Sequence, residues 1–164
     1  YKRQVRNYLV LTGDGSEETE EKLGYYGERI VLKAQALGLN SCWVAATYSK
    51  VACRKACGLE KDEKLACAIA LGYGETQGVP HESKPLTELF ELCSAAGKAP
   101  EWFVKGVEAA ALAPTALNRQ NFNIVLLEDG RVRLEKQGAC AALDLGIVRY
   151  HFEQGAGKEN FEWA

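Results

Sequence analysis

Methionine is absent from all 164 residues, and histidine occurs only twice, at positions 81 and 151. No apolar run approaches the ~20 residues that a membrane-spanning helix needs. A dominant charge sign is also missing, since 20 basic residues against 22 acidic ones leave a net charge of −2. That balance gives no electrostatic reason to expect nucleic acid or an anionic membrane as partner. No basic-then-apolar leader precedes the first apolar run, so the expected compartment is the cytoplasm. Six cysteines, at 42, 53, 57, 67, 93 and 140, include no Cys-x-x-Cys pair. They are expected to be reduced, because a disulfide framework belongs to small secreted domains. Cys53 and Cys57 stand four apart and would share a helix face, but no third and fourth zinc ligand is evident. The chain opens abruptly at Tyr1-Lys2-Arg3, which reads as a piece of a longer protein.

What is present is ordinary for a globular chain: 47% hydrophobic and 26% charged residues. The length fits one domain over residues 1–164, able to bury about two-thirds of its unfolded surface. No repeat, low-complexity segment or linker divides it. Val5 to Thr12 reads as a strand closed by Gly13-Asp14-Gly15. Glu20 to Leu37 has helical periodicity, with Leu23, Gly27, Ile30, Ala34 and Leu37 as its apolar stripe, widened by Tyr26 and Val31, and Gly38 as its stop. Gly24 and Gly27 each cost up to about 1 kcal/mol against alanine. They would suit the close approach of another helix or subunit. Ser41 to Ala45 is a second strand, Lys50 to Leu59 a short helix, and Leu65 to Tyr73 a buried strand. After the polar loop from Gly74 to Pro85, Pro85 would sit at N1 of a helix carrying Leu86, Leu89, Phe90, Leu92 and Cys93. Glu101 to Leu112 is helical. Phe122 to Leu127 and Arg131 to Glu135 form a hairpin through Asp129-Gly130, and Ala139 to Gln154 is the last helix. Four or five strands interspersed with helices make an α+β fold, with helices flanking a central mixed or antiparallel sheet.

One stretch stands apart: Ala113-Pro114-Thr115-Ala116-Leu117-Asn118-Arg119-Gln120-Asn121-Phe122. Pro114 halts the preceding helix, and Thr115 is placed as an N-cap. Asn118, Arg119 and Gln120 crowd planar polar groups into a short turn. Such groups suit a planar ligand rich in acceptors, but the same residues also describe a plain capped connection with a solvated turn.

The string resembles the Ala-Pro-Ser-x-x-Asn-x-Gln-Pro-Trp motif of the FMN-dependent nitroreductase family. Ala113, Pro114, Asn118 and Gln120 match, Thr115 replaces Ser, Phe122 stands for Trp, and Asn121 replaces Pro. Leu37-Gly38-Leu39-Asn40-Ser41-Cys42-Trp43 looks like the family's Leu-Gly-Leu-Gly-x-Cys-Trp segment. Asp144-Leu145-Gly146-Ile147 to His151-Phe152-Glu153 looks like a tail signature of one branch. The resemblance implies a nitroreductase fold, an intertwined homodimer and two FMN sites at its interface. It assigns Pro114, Thr115, Asn118 and Gln120 to the flavin, and Asn40, Ser41, Cys42 and Trp43 to the ring edge. Lys84, with His81 as a second cation, would hold the phosphate. The implied activity passes two electrons from NAD(P)H to a nitroaromatic, quinone or similar acceptor, both using one place in turn, with no catalytic side chain. The family's N-terminal helix and arginine-rich turn are not recognisable, and Arg3 and Arg6 are poor substitutes for that turn. Two alternatives stand beside this reading: a non-catalytic flavin-binding protein, acting as sensor or store, and a cysteine-rich metal-binding domain.

Overall fold

Helix α1 (Glu17–Ala36) starts where the chemistry allows it to. The Ser16 hydroxyl accepts the Thr19 N–H at 3.2 Å, and Glu17, Glu18 and Glu20 place negative charge at the positive end of the helix dipole. The computed structural model describes residues 5–93, 98–139 and 141–164, so Arg3 and Cys140 lie outside the described residues. Strand β1 (Asn7–Gly13) precedes α1, and β2 (Asn40–Val44) follows it. After the short helix α2 (Lys50–Cys57) comes β3 (Lys64–Gly72), which lies between the first two strands and is antiparallel to both. A second three-stranded sheet has the order β4 (Phe90–Leu92), β5 (Phe122–Leu126), β6 (Val132–Lys136). The hairpin between β5 and β6 turns at Gly130, whose φ of +84° favours glycine. Helices α3 (Glu101–Ala110) and α4 (Ala142–Ala156) complete the α+β fold, and α4 packs against both α1 and α3.

Three expectations need correction. The helix expected from Pro85 is a single 3₁₀ turn, Leu86–Glu88, with Pro85 at its N-cap, and Phe90–Leu92 is strand. The exposed edge of β5 captures this segment: Ile124 N–H donates to Leu89 O and Cys93 N–H donates to Leu126 O, both at 2.9 Å. Strand pairing outweighs local apolar spacing here. The inward stripe of α1 is also rotated. Gly24, Gly27, Glu28, Val31 and Ala34 are buried, whereas Ile30 and Leu37 are exposed. Finally, the central sheet is divided, with six strands among the described residues in two sheets rather than four or five in one.

The rotation of α1 has a clear cause. A methyl group on Gly24 would lie 2.0 Å from Leu143 O, and one on Gly146 would lie 1.9 Å from Glu21 O. The two helix backbones touch, and the contact is reciprocal: each glycine meets the residues three before and one after the other. Gly27 receives the Trp43 ring, 2.5 Å from where its own Cβ would stand. The Trp43 Nε1–H donates to Glu28 Oε2 at 3.0 Å. Glu28 is 1% exposed, and its other oxygen lies 2.9 Å from His151 Nε2. His151 Nδ1 faces Ala109 O at 3.2 Å, so both ring nitrogens meet acceptors. Around this polar centre lies an aromatic cluster in which Phe103 and Phe152 are fully buried and Trp102 stacks on Phe161.

Gly24→Ala or Gly146→Ala should each lower stability by about 1–3 kcal/mol, the scale of overpacking. Gly72→Ala, where an added Cβ meets open space, should stay within about 0.5 kcal/mol. Urea unfolding of the three variants measures the difference, and equal midpoints would mean the helices can move apart without cost.

Candidate functional site

The turn after α3 is clipped to the loop that follows β3. The Gln120 side chain, 2% exposed, forms the clip. Its Oε1 accepts Lys84 N–H at 2.9 Å, and its Nε2 donates to Glu82 O at 2.9 Å and to Asn118 Oδ1 at 3.0 Å. Lys84 Nζ donates to Gln120 O at 3.1 Å, and Asn118 Nδ2 donates to Glu82 O at 2.9 Å. Thr115 Oγ1 accepts Gln120 N–H at 3.0 Å. It therefore closes the whole turn and makes no side-chain cap bond to the 3₁₀ segment Ala116–Asn118 that it precedes.

Leu117, Asn118 and Gln120 all have left-handed backbone, with φ of 56°, 52° and 48°. Leu117 is 84% exposed, so no burial of its side chain accounts for that conformation. Such positions persist only where their surroundings over-determine them. Asp144 supplies one more restraint that the sequence reading missed. Its two carboxylate oxygens accept Ala116 N–H at 3.2 and 3.1 Å from the first turn of α4. Burial pushes the Asp144 carboxyl above its ordinary range, against the opposing pull of the Ala116 bond. The signal was in view, because Asp144 opens the tail motif noted above. Ser83 and Glu82 were also missed. The Ser83 hydroxyl donates to Ala111 O at 2.9 Å, and Glu82 acts only through its backbone carbonyl, which no side-chain pattern announces.

Two polar groups in this region are not fully used. The Lys84 ammonium carries three donors, of which one meets Gln120 O. His81 Nδ1 lies 3.1 Å from Glu82 O, while its Nε2 is buried without a partner in the described structure.

Asn40, Ser41 and Cys42 lie elsewhere, on β2. Side chains alternate across a strand. Trp43 therefore faces α1, whereas Cys42 and its neighbour in register, Ala70, face the other way. That outer face carries a cleft of about 610 Å³ whose lining includes Cys42, Ala70, Gly72, Tyr8, Tyr48 and Tyr73. Beside it lies a second cleft of about 440 Å³, reached by Asn40, Ser41, Thr76 and Gln77. Asn40 Oδ1 accepts Gly74 N–H at 2.7 Å and its Nδ2 donates to Gln77 Oε1 at 3.2 Å, which ties β2 to the loop after β3. The structure thus brings Lys84, Thr115, Asn118 and Gln120 together beside Pro114. It brings Asn40, Ser41 and Cys42 together at the clefts, and turns Trp43 inward. None of the first group lines either cleft.

Two three-stranded sheets with this helix arrangement define a nitroreductase-like α+β fold, and the comparisons agree. The family model described as "Putative TM nitroreductase" matches residues 1–156, and the chain belongs to that family. The crystal structure of a putative nitroreductase from Thermotoga maritima superimposes with a TM-score of 0.72 at 26% identity, covering 94% of this chain and 63% of that one. The chain thus spans under two-thirds of that relative's length. A protein from Bacteroides thetaiotaomicron, described as a putative NADH dehydrogenase/NAD(P)H nitroreductase, matches with a TM-score of 0.45 at 25% identity, covering 52% of this chain and 54% of its own. No curated protein matches. Among the described residues no helix is long and apolar enough to cross a membrane.

Gln120→Leu would strand Lys84 N–H and remove one of the two side-chain donors to Glu82 O, and should lower stability by about 1–3 kcal/mol in denaturant. An unchanged midpoint would show that the clip holds nothing. Asp144 makes a pH prediction. Its folded pKa lies above the ordinary 3.8, so its stabilising contribution is complete below that value and is lost as pH rises through the folded pKa. Relative to Asp144→Asn, the wild type should therefore lose stability upward from about pH 4. A parallel pair of stability–pH curves would refute the assignment.

Proposed function

We propose that the protein is an FMN-dependent oxidoreductase that carries two electrons from NAD(P)H to a nitroaromatic, quinone or similar acceptor. The observation that carries the reading is the cation-bearing clip. Lys84 is held against the motif turn with two ammonium donors to spare, three residues from an unpartnered His81 nitrogen. Those groups fit a phosphate, for which charge-assisted hydrogen bonds are the strong contacts. The small-residue floor of Cys42, Ala70 and Gly72 fits the approach of a flat ring. A cleft of about 610 Å³ lies within the common range for ligand sites.

Bound FMN would supply the redox chemistry, accepting a hydride from reduced nicotinamide and passing two electrons to the second substrate in the same place. The chain binds and orients. Lys84 and His81 hold the phosphate end. Thr115 and Gln120 fix the turn, so that Pro114 and Asn118 meet the flavin at a set position. Asn40, Ser41 and Cys42 border the ring through their backbone and small side chains, and Trp43 acts behind them by seating β2 on α1. Solvent supplies the protons, so no side chain is assigned as a general acid. The clip and the clefts are separate in one chain, and a homodimer in which each copy's turn reaches the other's β2 would complete two sites.

Purified protein with added FMN should show a bound-flavin absorption spectrum that bleaches with NADH or NADPH in the absence of oxygen. A spectrum that stays yellow would favour the non-catalytic flavin-binding alternative. Lys84→Ala should weaken FMN binding by about 1.5–3 kcal/mol, the scale of a hydrogen bond to a charged group. An unchanged dissociation constant would remove Lys84 from the phosphate site.

A further inference from the structure

We propose that Cys53 and Cys57 form a two-thiolate site for a soft, two-coordinate cation, Cu(I). The pair lies outside the clip and the clefts and is independent of the flavin reading. Both residues are in α2, one turn apart on one face, where Cβ atoms stand about 5–6 Å from each other. Burial, and then the neighbouring Cys57 thiol, hold the Cys53 thiol above its ordinary range. Both are free, Cys57 exposed and Cys53 partly so. They are not core filler: no residue of α2 is buried, in contrast to Cys67 in β3, which is 3% exposed and whose thiol burial pushes up to about 12.

The ligand count selects the ion. Among the described residues no group of three or more His, Cys, Asp or Glu is placed to hold a metal. Zinc wants four ligands in a tetrahedron, which this pair does not offer. Two soft thiolates suit Cu(I). Binding would release both thiol protons to solvent and move no electrons. The resulting bis-thiolate complex carries one negative charge, on a helix that also carries Lys50, Arg54 and Lys55.

The test is an anaerobic titration of reduced protein with Cu(I) held by the chelator bicinchoninate, read as loss of the chelator complex's colour. Wild-type protein should withdraw one equivalent per chain. Cys53→Ser and Cys57→Ser should each lose it, with unchanged circular dichroism, whereas Cys42→Ser and Cys93→Ser should keep it. X-ray absorption of the loaded protein should show two sulfur neighbours. Retention of the equivalent by the double Cys53→Ser, Cys57→Ser variant, a third sulfur on the metal, or failure of the wild type to compete would each overturn the proposal.

Discussion

The contact between Gly24 and Gly146 is the constraint from which most of this architecture follows. With no side chain at either position, the backbones of α1 and α4 meet. Only at that separation can side chains on one helix reach polar partners on the other. Glu28 of α1 meets His151 of α4 at 2.9 Å, and Tyr25 of α1 donates to Glu153 of α4. Each of these carboxylates also holds an indole N–H from the segment that follows its own helix. Trp43 donates to Glu28, and Trp163 donates to Glu153 at 2.9 Å. The joint is thus built twice, in reciprocal form, and each copy fastens a following segment of chain. β2 is one of these segments, so the clefts on its outer face depend on a glycine contact on the far side of the sheet.

Burying two carboxylates at such a joint would be costly if either were left alone. Removing one partner of a buried ion pair commonly costs about 3–5 kcal/mol, because a charge is stranded without solvent. Here Glu28 has His151 and Trp43, and Glu153 has Tyr25, Trp163 and the half-exposed Lys158 at 2.7 Å. Satisfaction on this scale explains the tail signature His151-Phe152-Glu153 in physical terms. The two polar members close the two copies of the joint, and Phe152 between them fills the aromatic core. The signature is structural, and none of its side chains is free to act on a ligand.

What the sequence revealed, and what it hid, divides along the same line. The strands around Leu9, Ile69 and Ile124, the Asp129-Gly130 hairpin and the glycines of α1 were legible, because each rests on local pattern or local backbone freedom. The inward face of α1 was not. Periodicity proposes an apolar stripe through Ile30 and Leu37, but the helix instead presents its smallest residues inward, since a partner backbone rather than a side chain fills that space. β4 was hidden for a different reason. Leu86, Leu89 and Phe90 carry helical spacing, and only the unpaired edge of β5, distant in sequence, makes the segment a strand. In the site, the motif positions were legible. Their bonding was not, because Gln120 and Asn118 both turn to the backbone carbonyl of Glu82, which leaves no trace in a sequence.

That bonding alters what the turn can offer a ligand. Gln120 has both ends of its amide occupied and is buried, so it contributes by shape alone. Asn118 donates one Nδ2 hydrogen to Glu82 O and accepts at Oδ1 from Gln120, which leaves its second Nδ2 hydrogen over. The exposed residues of the turn are Ala116, Leu117, Asn118 and Arg119. Left-handed backbone at non-glycine residues costs on the order of 1–3 kcal/mol each, and the turn holds three of them in a run of four residues. The clip and the Asp144–Ala116 bonds offset that strain before any ligand arrives. A turn fixed in this way meets a bound group without further ordering, and rigidity of that kind favours affinity by reducing the entropy lost on association. The motif's polar residues therefore hold the backbone in a shape it would not otherwise keep.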